Sequence, residues 1–205
     1  MANKELHIVS TGTQSINTFV SIISEIHPFA TAIHLREKQM SARDLYQTIN
    51  QLIQRSVPLN KIVINDRIDV ASIAEVGGVQ LAYHSLSVGD VKRAFPKLRI
   101  GKSVHSLEEA VEAELQGADY VIYGHIYPTS SKKGVIAKGV DSVEELKKQL
   151  SIPLIVIGGI KPSHIPELID RGVDGVAVLS GVLLAQTPIE AVKEYSKMLS
   201  KEMIT

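Results

Sequence analysis

Two stretches near the C-terminal end decide the fold: Leu154-Ile155-Val156-Ile157-Gly158-Gly159-Ile160-Lys161-Pro162-Ser163, and Gly175-Val176-Ala177-Val178-Leu179-Ser180-Gly181. Each opens with a short, nearly unbroken run of Val, Ile, Leu or Ala and stops at glycine. A strand that is apolar at every position has both faces buried, as in a parallel sheet covered by helices. Pro162 and Ser163 suit a helix start, and Gly172 suits that helix's C-terminal end. The pair reads as two consecutive strand–turn–helix units.

Working upstream, the unit repeats. The spacing predicts strands at Glu5–Ser10, Ala32–Arg36, Lys61–Asn65, Gly78–Leu81, Leu98–Ser103 and Tyr120–Tyr123, and then at Leu154–Ile157 and Gly175–Leu179. Helical patterns fill the gaps. Ile16, Phe19, Val20, Ile23 and Ile26 share one helical face. Ser41 to Asp44 resembles a capping box, whereas Ser106 to Glu109 and Thr187 to Glu190 are full ones. Eight such units in 205 residues predict an α/β fold, a single (β/α)8 TIM barrel occupying 1–205 as one domain. A doubly wound open sheet would need a Gly-rich fingerprint after the first strand, and Ser10-Thr11-Gly12 lacks it.

Composition narrows the function. Lys plus Arg and Asp plus Glu are 22 each, so no net charge favours nucleic acid or an acidic membrane. The absence of cysteine removes disulfides, thiolate metal sites and cysteine nucleophiles. No run approaches a membrane span, and no signal-type stretch follows Met1, so a soluble cytoplasmic protein is expected. Pairing of outer helices into a homodimer is the prior for its assembly.

In such a barrel the strands' C-terminal ends build the site. Here they carry Arg36-Glu37-Lys38, Asn65-Asp66-Arg67, Ser103, Gly124-His125, Gly158-Gly159 and Ser180-Gly181. Gly158, Gly159, Ser180 and Gly181 follow the last two strands, where TIM barrels recurrently bind phosphate. The loop from Gly124 to Gly139 is long and rich in hydroxyls and lysines, including Thr129, Ser131 and Lys132, and suits a second grip on an anion.

Taken in order, these strand ends resemble the thiamine phosphate synthase superfamily. The carriers include Leu35-Arg36-Glu37-Lys38, Ile64-Asn65-Asp66-Arg67, Gly78-Val79-Gln80-Leu81, Gly101-Lys102-Ser103-Val104-His105, Tyr123-Gly124-His125-Ile126-Tyr127-Pro128-Thr129 and Ile157-Gly158-Gly159-Ile160. The synthase joins a pyrimidine diphosphate to a thiazole phosphate, using magnesium. Its TenI-type relative is a tautomerase that aromatises a thiazole carboxylate phosphate. Three positions depart from the synthase pattern. His125 replaces a proline, Gln80 a histidine, and Ser85 a magnesium-binding aspartate; Asp66 survives at the other metal position.

The resemblance, with these departures, points to the tautomerase. It implies an isomerase without metal or cofactor, in which His125 takes the C2 proton of the thiazole and returns one to the exocyclic carbon. Arg36, Lys38 or Lys132 would hold the substrate carboxylate. Arg36, Lys38, Asn65, Ser103, Ser131 and Lys132 also match positions that the synthase uses for its pyrimidine diphosphate. Thiamine phosphate synthase, or a non-catalytic thiazole-phosphate-binding regulator, are the alternatives. The strand histidines His7 and His34 read as structural.

Overall fold

The computed structural model describes residues 4–129 and 134–200. Its elements alternate: β1 (Glu5–Val9), α1 (Ile16–Ile26), β2 (Ala32–Leu35), α2 (Ala42–Gln54), β3 (Ile62–Asn65), α3 (Ile68–Ile73), β4 (Gly78–Leu81), α4 (Val88–Ala94), β5 (Arg99–Val104), α5 (Leu107–Leu115), β6 (Tyr120–Gly124), α6 (Asp141–Gln149), β7 (Leu154–Ile157), α7 (Ile165–Asp170), β8 (Gly175–Val178), α8 (Ser180–Leu183) and α9 (Pro188–Ser200). The eight strands pair in parallel and in sequence order, and β8 returns to β1, closing the barrel. This is the (β/α)8 barrel that the strand spacing predicts. Among the described residues, no helix is long and apolar enough to cross a membrane.

Alternation along each strand sorts the side chains into two surfaces. The outward set, including Ile8, Ile33, Ile64, Val79, Ile100, Val121, Val156 and Val176, packs with buried helix residues such as Phe19, Ile23, Ile49 and Leu52 in the main core. Full burial of each such side chain contributes roughly 1.5–3 kcal/mol. The inward set contains an apolar and a polar group. Val9, Tyr120, Ile122, Ile155 and Ala177 form a second apolar cluster inside the barrel. His7, His34 and Gln80 are buried on the same inner surface.

Local signals fix the helix starts. Ser15, Ser41, Ser87 and Ser106 each cap a helix by accepting a hydrogen bond from the amide three residues on. The box at Ser106 is half-made: the Glu109 carboxylate accepts from the His105 amide rather than from that of Ser106. The short helices α3, α4, α6 and α8 have no clear apolar period in the sequence. Ser180-Gly181, read as a phosphate turn, is the start of α8.

Inside the barrel Gly101 has no room for a side chain. A Cβ at Gly101 would lie 2.2 Å from the Tyr120 ring and 2.3 Å from Gln80 Oε1. The missing side chain therefore lets a fully buried tyrosine reach across from the neighbouring strand.

Candidate functional site

The strand ends gather at one rim. Arg36 follows β2 and is half-buried; its backbone amide donates to Ser10 Oγ at 2.8 Å, tying the ends of β1 and β2 together. Lys38 is exposed. Asn65 ends β3 opposite Gln80 of β4, and its Oδ1 is buried without a partner. Ser103, on β5, accepts from Gln80 Nε2 at 3.0 Å. Arg36, Asn65 and Ser103 therefore stand on nearby strands at one end of the barrel, as the strand reading expects. Ser131 and Lys132 lie outside the described residues.

Asp66 sits at a positive φ of 65°, in a backbone region that few non-glycine residues adopt. Its Oδ1 accepts from Ser85 Oγ at 2.6 Å, and its Oδ2 is 3.5 Å from His84 Nε2. Ser85 Oγ in turn accepts from the Ala82 amide. The carboxylate at the surviving magnesium position is thus engaged on both oxygens by its own neighbours. Among the described residues, no group of three His, Cys, Asp or Glu could hold a metal. These residues do not fit the magnesium that the resemblance attaches to the synthase, and no step below passes through a metal.

His125 is 4% exposed, at the end of β6, joined to Gly124 by a cis peptide bond. Its Nε2 lies 3.3 Å from the Val135 carbonyl, so the β6–α6 loop folds back over it. The same loop is pinned at its base. Lys138 and Gly139 amides donate to His125 and Ile126 carbonyls, and the Ile126 and Tyr127 amides donate to Ile157 and Gly158 carbonyls. Tyr127 stacks on His164 at 4.0 Å between ring centroids. Thr129 is half-buried in this segment.

Gly158 and Gly159 have φ of 101° and 67°. A Cβ on Gly158 would stand 2.2 Å from His125 Cβ, and one on Gly159 2.5 Å from the Pro128 carbonyl. The pair is therefore what allows the β6–α6 loop to lie against β7, a packing reason independent of any anion. Gly181 packs the same way beneath Tyr195 Oη, which donates to the Ile160 carbonyl at 2.8 Å. Tyr195, on α9, links the two glycine-bearing loops; its position in an amphipathic helix gives no sequence signal of that role.

Sequence reasoning also missed a polar chain that runs from the half-buried Glu5 and Arg99 to the buried His7 and His34. Glu5 pairs with Arg99 through both carboxylate oxygens, at 2.7 and 3.0 Å. Glu5 Oε2 is 2.9 Å from His7 Nε2, and His7 Nδ1 is 2.9 Å from His34 Nε2. Burial would raise the Glu5 pKa, but hydrogen bonds from His7 and Arg99 outweigh it and hold the carboxyl at about 2. Burial lowers the pKa of His7, and that of His34 well below the usual histidine range, Arg99 adding to both. Arg99 also stacks over the Tyr120 ring. Glu5 and Arg99 are 94 residues apart, beyond the reach of local pattern.

The family model for thiamine monophosphate synthase matches residues 6–182. The thiamine-phosphate synthase of Pyrococcus furiosus is 37% identical over 175 residues, covering 84% of each chain. That of Clostridium acetobutylicum is 37% identical, covering 82% of this chain and 81% of its own. Among solved structures, the thiamine phosphate pyrophosphorylase from Pyrococcus furiosus superposes with a TM-score of 0.80 at 30% identity over 95% of both chains. The 3-hexulose-6-phosphate synthase structure, at 15% identity and a TM-score of 0.74, shares the fold alone.

These likenesses overturn the expectation of a tautomerase, an isomerase using His125 as proton carrier. The similar curated proteins are thiamine-phosphate synthases, which are transferases. Departures at His125, Gln80 and Ser85 are local, whereas the similarity to synthases spans most of the chain. By these matches the chain belongs to the thiamine monophosphate synthase family.

Proposed function

We propose that this protein is a thiamine-phosphate synthase. In that reaction the thiazole ring nitrogen bonds to the exocyclic methylene carbon of the pyrimidine. The bond from that carbon to the diphosphate oxygen breaks, and its electron pair leaves with the diphosphate. The observation that carries the reading is the placing of Arg36, Asn65 and Ser103, at the C-terminal ends of β2, β3 and β5, at positions matching the synthase's pyrimidine-diphosphate contacts. Arg36, Lys38 and Lys132 supply positive charge for the departing diphosphate, and Ser131 a hydroxyl that can donate to it. Gly158, Gly159, Ser180 and Gly181 take the thiazole phosphate. Thr129 and His125 belong to the loop that closes over the pair, His125 holding that loop through Val135. On the same reading the enzyme works in the cytoplasm, as a homodimer, without nucleic-acid or membrane partners.

The test is to supply both substrates, with magnesium present and absent, and to measure thiamine phosphate. Sustained product formation supports the reading. No product above the uncatalysed background overturns it, and thiazole phosphate binding without turnover would point instead to a regulator.

A further inference from the structure

Four buried side-chain atoms on the inner surface make no hydrogen bond of good geometry among the described residues: His34 Nδ1, Asn65 Oδ1, Gln80 Oε1 and Tyr120 Oη, with the Asn65 side chain beside His34. Orphaned buried polar atoms are rare and call for a reason. The hydrogen bonds leading to His34 supply one. An ionised carboxylate only accepts, so the hydrogen between Glu5 and His7 belongs to His7 Nε2. In a neutral His7 the other nitrogen, Nδ1, then carries no hydrogen. The bond between the rings must be donated by His34 Nε2. A neutral His34 protonated at Nε2 leaves Nδ1 a bare lone pair.

The groups facing this pair bear out neutral rings. Glu5 lies on the same strand as His7, Arg99 comes from β5, and Tyr120 from β6 sits edge-on to His7 at 5.4 Å. Arg99 holds Glu5 with two hydrogen bonds and so fixes the carboxylate's orientation towards His7. One carboxylate balances one arginine, and a second positive charge on either imidazole would be buried without a counter-ion.

We propose that Glu5, acting through His7, is a positioning residue that locks His34 in the Nε2–H tautomer. At that ring position the layer next to Asn65 and Gln80 thereby accepts hydrogen bonds and never donates one. Nothing in this claim depends on the transferase reading.

The test is nitrogen-15 NMR of the full chain, labelled at histidine and free of ligand, near neutral pH. Two-bond proton–nitrogen correlations report which ring nitrogen carries hydrogen. The wild type is expected to show His34 with Nε2 protonated and Nδ1 bare, in a single form. Glu5→Gln replaces an obligate acceptor by an amide that can donate or accept, so His7 and His34 become tautomer mixtures while amide dispersion stays that of a folded chain. His7→Phe keeps a ring but removes the acceptor, and His34 alone loses its single form. A wild-type His34 protonated at Nδ1, or an unchanged tautomer in both variants, overturns the proposal. Should Glu5→Gln not fold, the wild-type spectrum and His7→Phe decide. The measurement uses no substrate, so a failed synthase assay leaves it standing, and the reverse.

Discussion

From β1 to β5 the barrel turns Glu5, His7, His34, Asn65, Gln80, Arg99 and Ser103 inward; from β6 to β8 it turns Ile122, Ile155, Ile157 and Ala177. Both sectors are filled, but by different physics. The apolar sector gains from burial and close packing, and a change there is felt as stability. The polar sector buries groups that cost free energy unless paired, and its pairing runs unbroken from Glu5 to His34 before ending in unpaired acceptors near the mouth. Tyr120 and Gly101 form the seam, the tyrosine ring occupying the space that the glycine leaves. The contrast separates residues that pack the barrel from polar residues whose hydrogen bonding within the chain is incomplete.

The largest expected effect breaks the apolar side. Ile155 is fully buried on the inner surface. Ile155→Ala should lower unfolding free energy by about 3 kcal/mol in urea titrations, with thiamine phosphate formation by the folded fraction changed less than about twofold. An equal loss of turnover would erase the distinction between the sectors. At the seam, Gly101→Ala should cost about 2 kcal/mol, because its Cβ has no room beside the Tyr120 ring. Adding Tyr120→Leu should return part of that loss; a strictly additive double variant would place the strain elsewhere.

Acid should strike the polar side first. His7 and His34 have folded pKa values below the ordinary 6.5, so below that value the unfolded chain binds protons that the folded chain refuses. Their stabilising contribution is complete above about pH 6.5 and falls as pH drops, by up to about 1.4 kcal/mol per pH unit for each ring. Glu5 adds a second loss at lower pH, between the ordinary glutamate value of 4.5 and about 2. His7→Phe should flatten the slope between pH 6.5 and 5, measured by urea midpoints. An unchanged slope would mean that the pair is already charged in the fold. The smallest stability effect is expected of Ser103→Ala, about 1 kcal/mol, since only the Gln80 hydrogen bond is lost. Its turnover should nevertheless fall about tenfold, the inverse of the Ile155→Ala pattern.

Much of the fold is legible from residue order alone. Each strand is an apolar run ended by glycine or a polar residue, and every one of the eight falls within a residue or two of its expected bounds. Helices α3, α4, α6 and α8 were not legible, because runs of four to nine residues that lack a serine cap or a full apolar stripe carry too little period to read, whereas the equally short α7 is marked by Pro162 and Gly172. At the mouth, Arg36, Asn65 and Ser103 were legible because polar residues end buried strands. The Glu5–Arg99 pair was not, since closure of the barrel, not sequence proximity, brings β1 and β5 face to face. His7 and His34, expected to be structural, are both buried inside the barrel, and their shared hydrogen bond depends on the register between β1 and β2. The function was misread where three local departures, at Gln80, Ser85 and His125, outweighed a likeness that runs along most of the chain.

The most direct test of the central claim, that the polar sector ends in a site joining two substrates, is the rate of thiamine phosphate formation by the wild type and by Asn65→Ala under the same conditions. Turnover by the wild type, with kcat/KM lowered at least about tenfold in the folded variant, is the expected result. A wild type that forms no thiamine phosphate, or an Asn65→Ala variant that keeps the full rate, would contradict it.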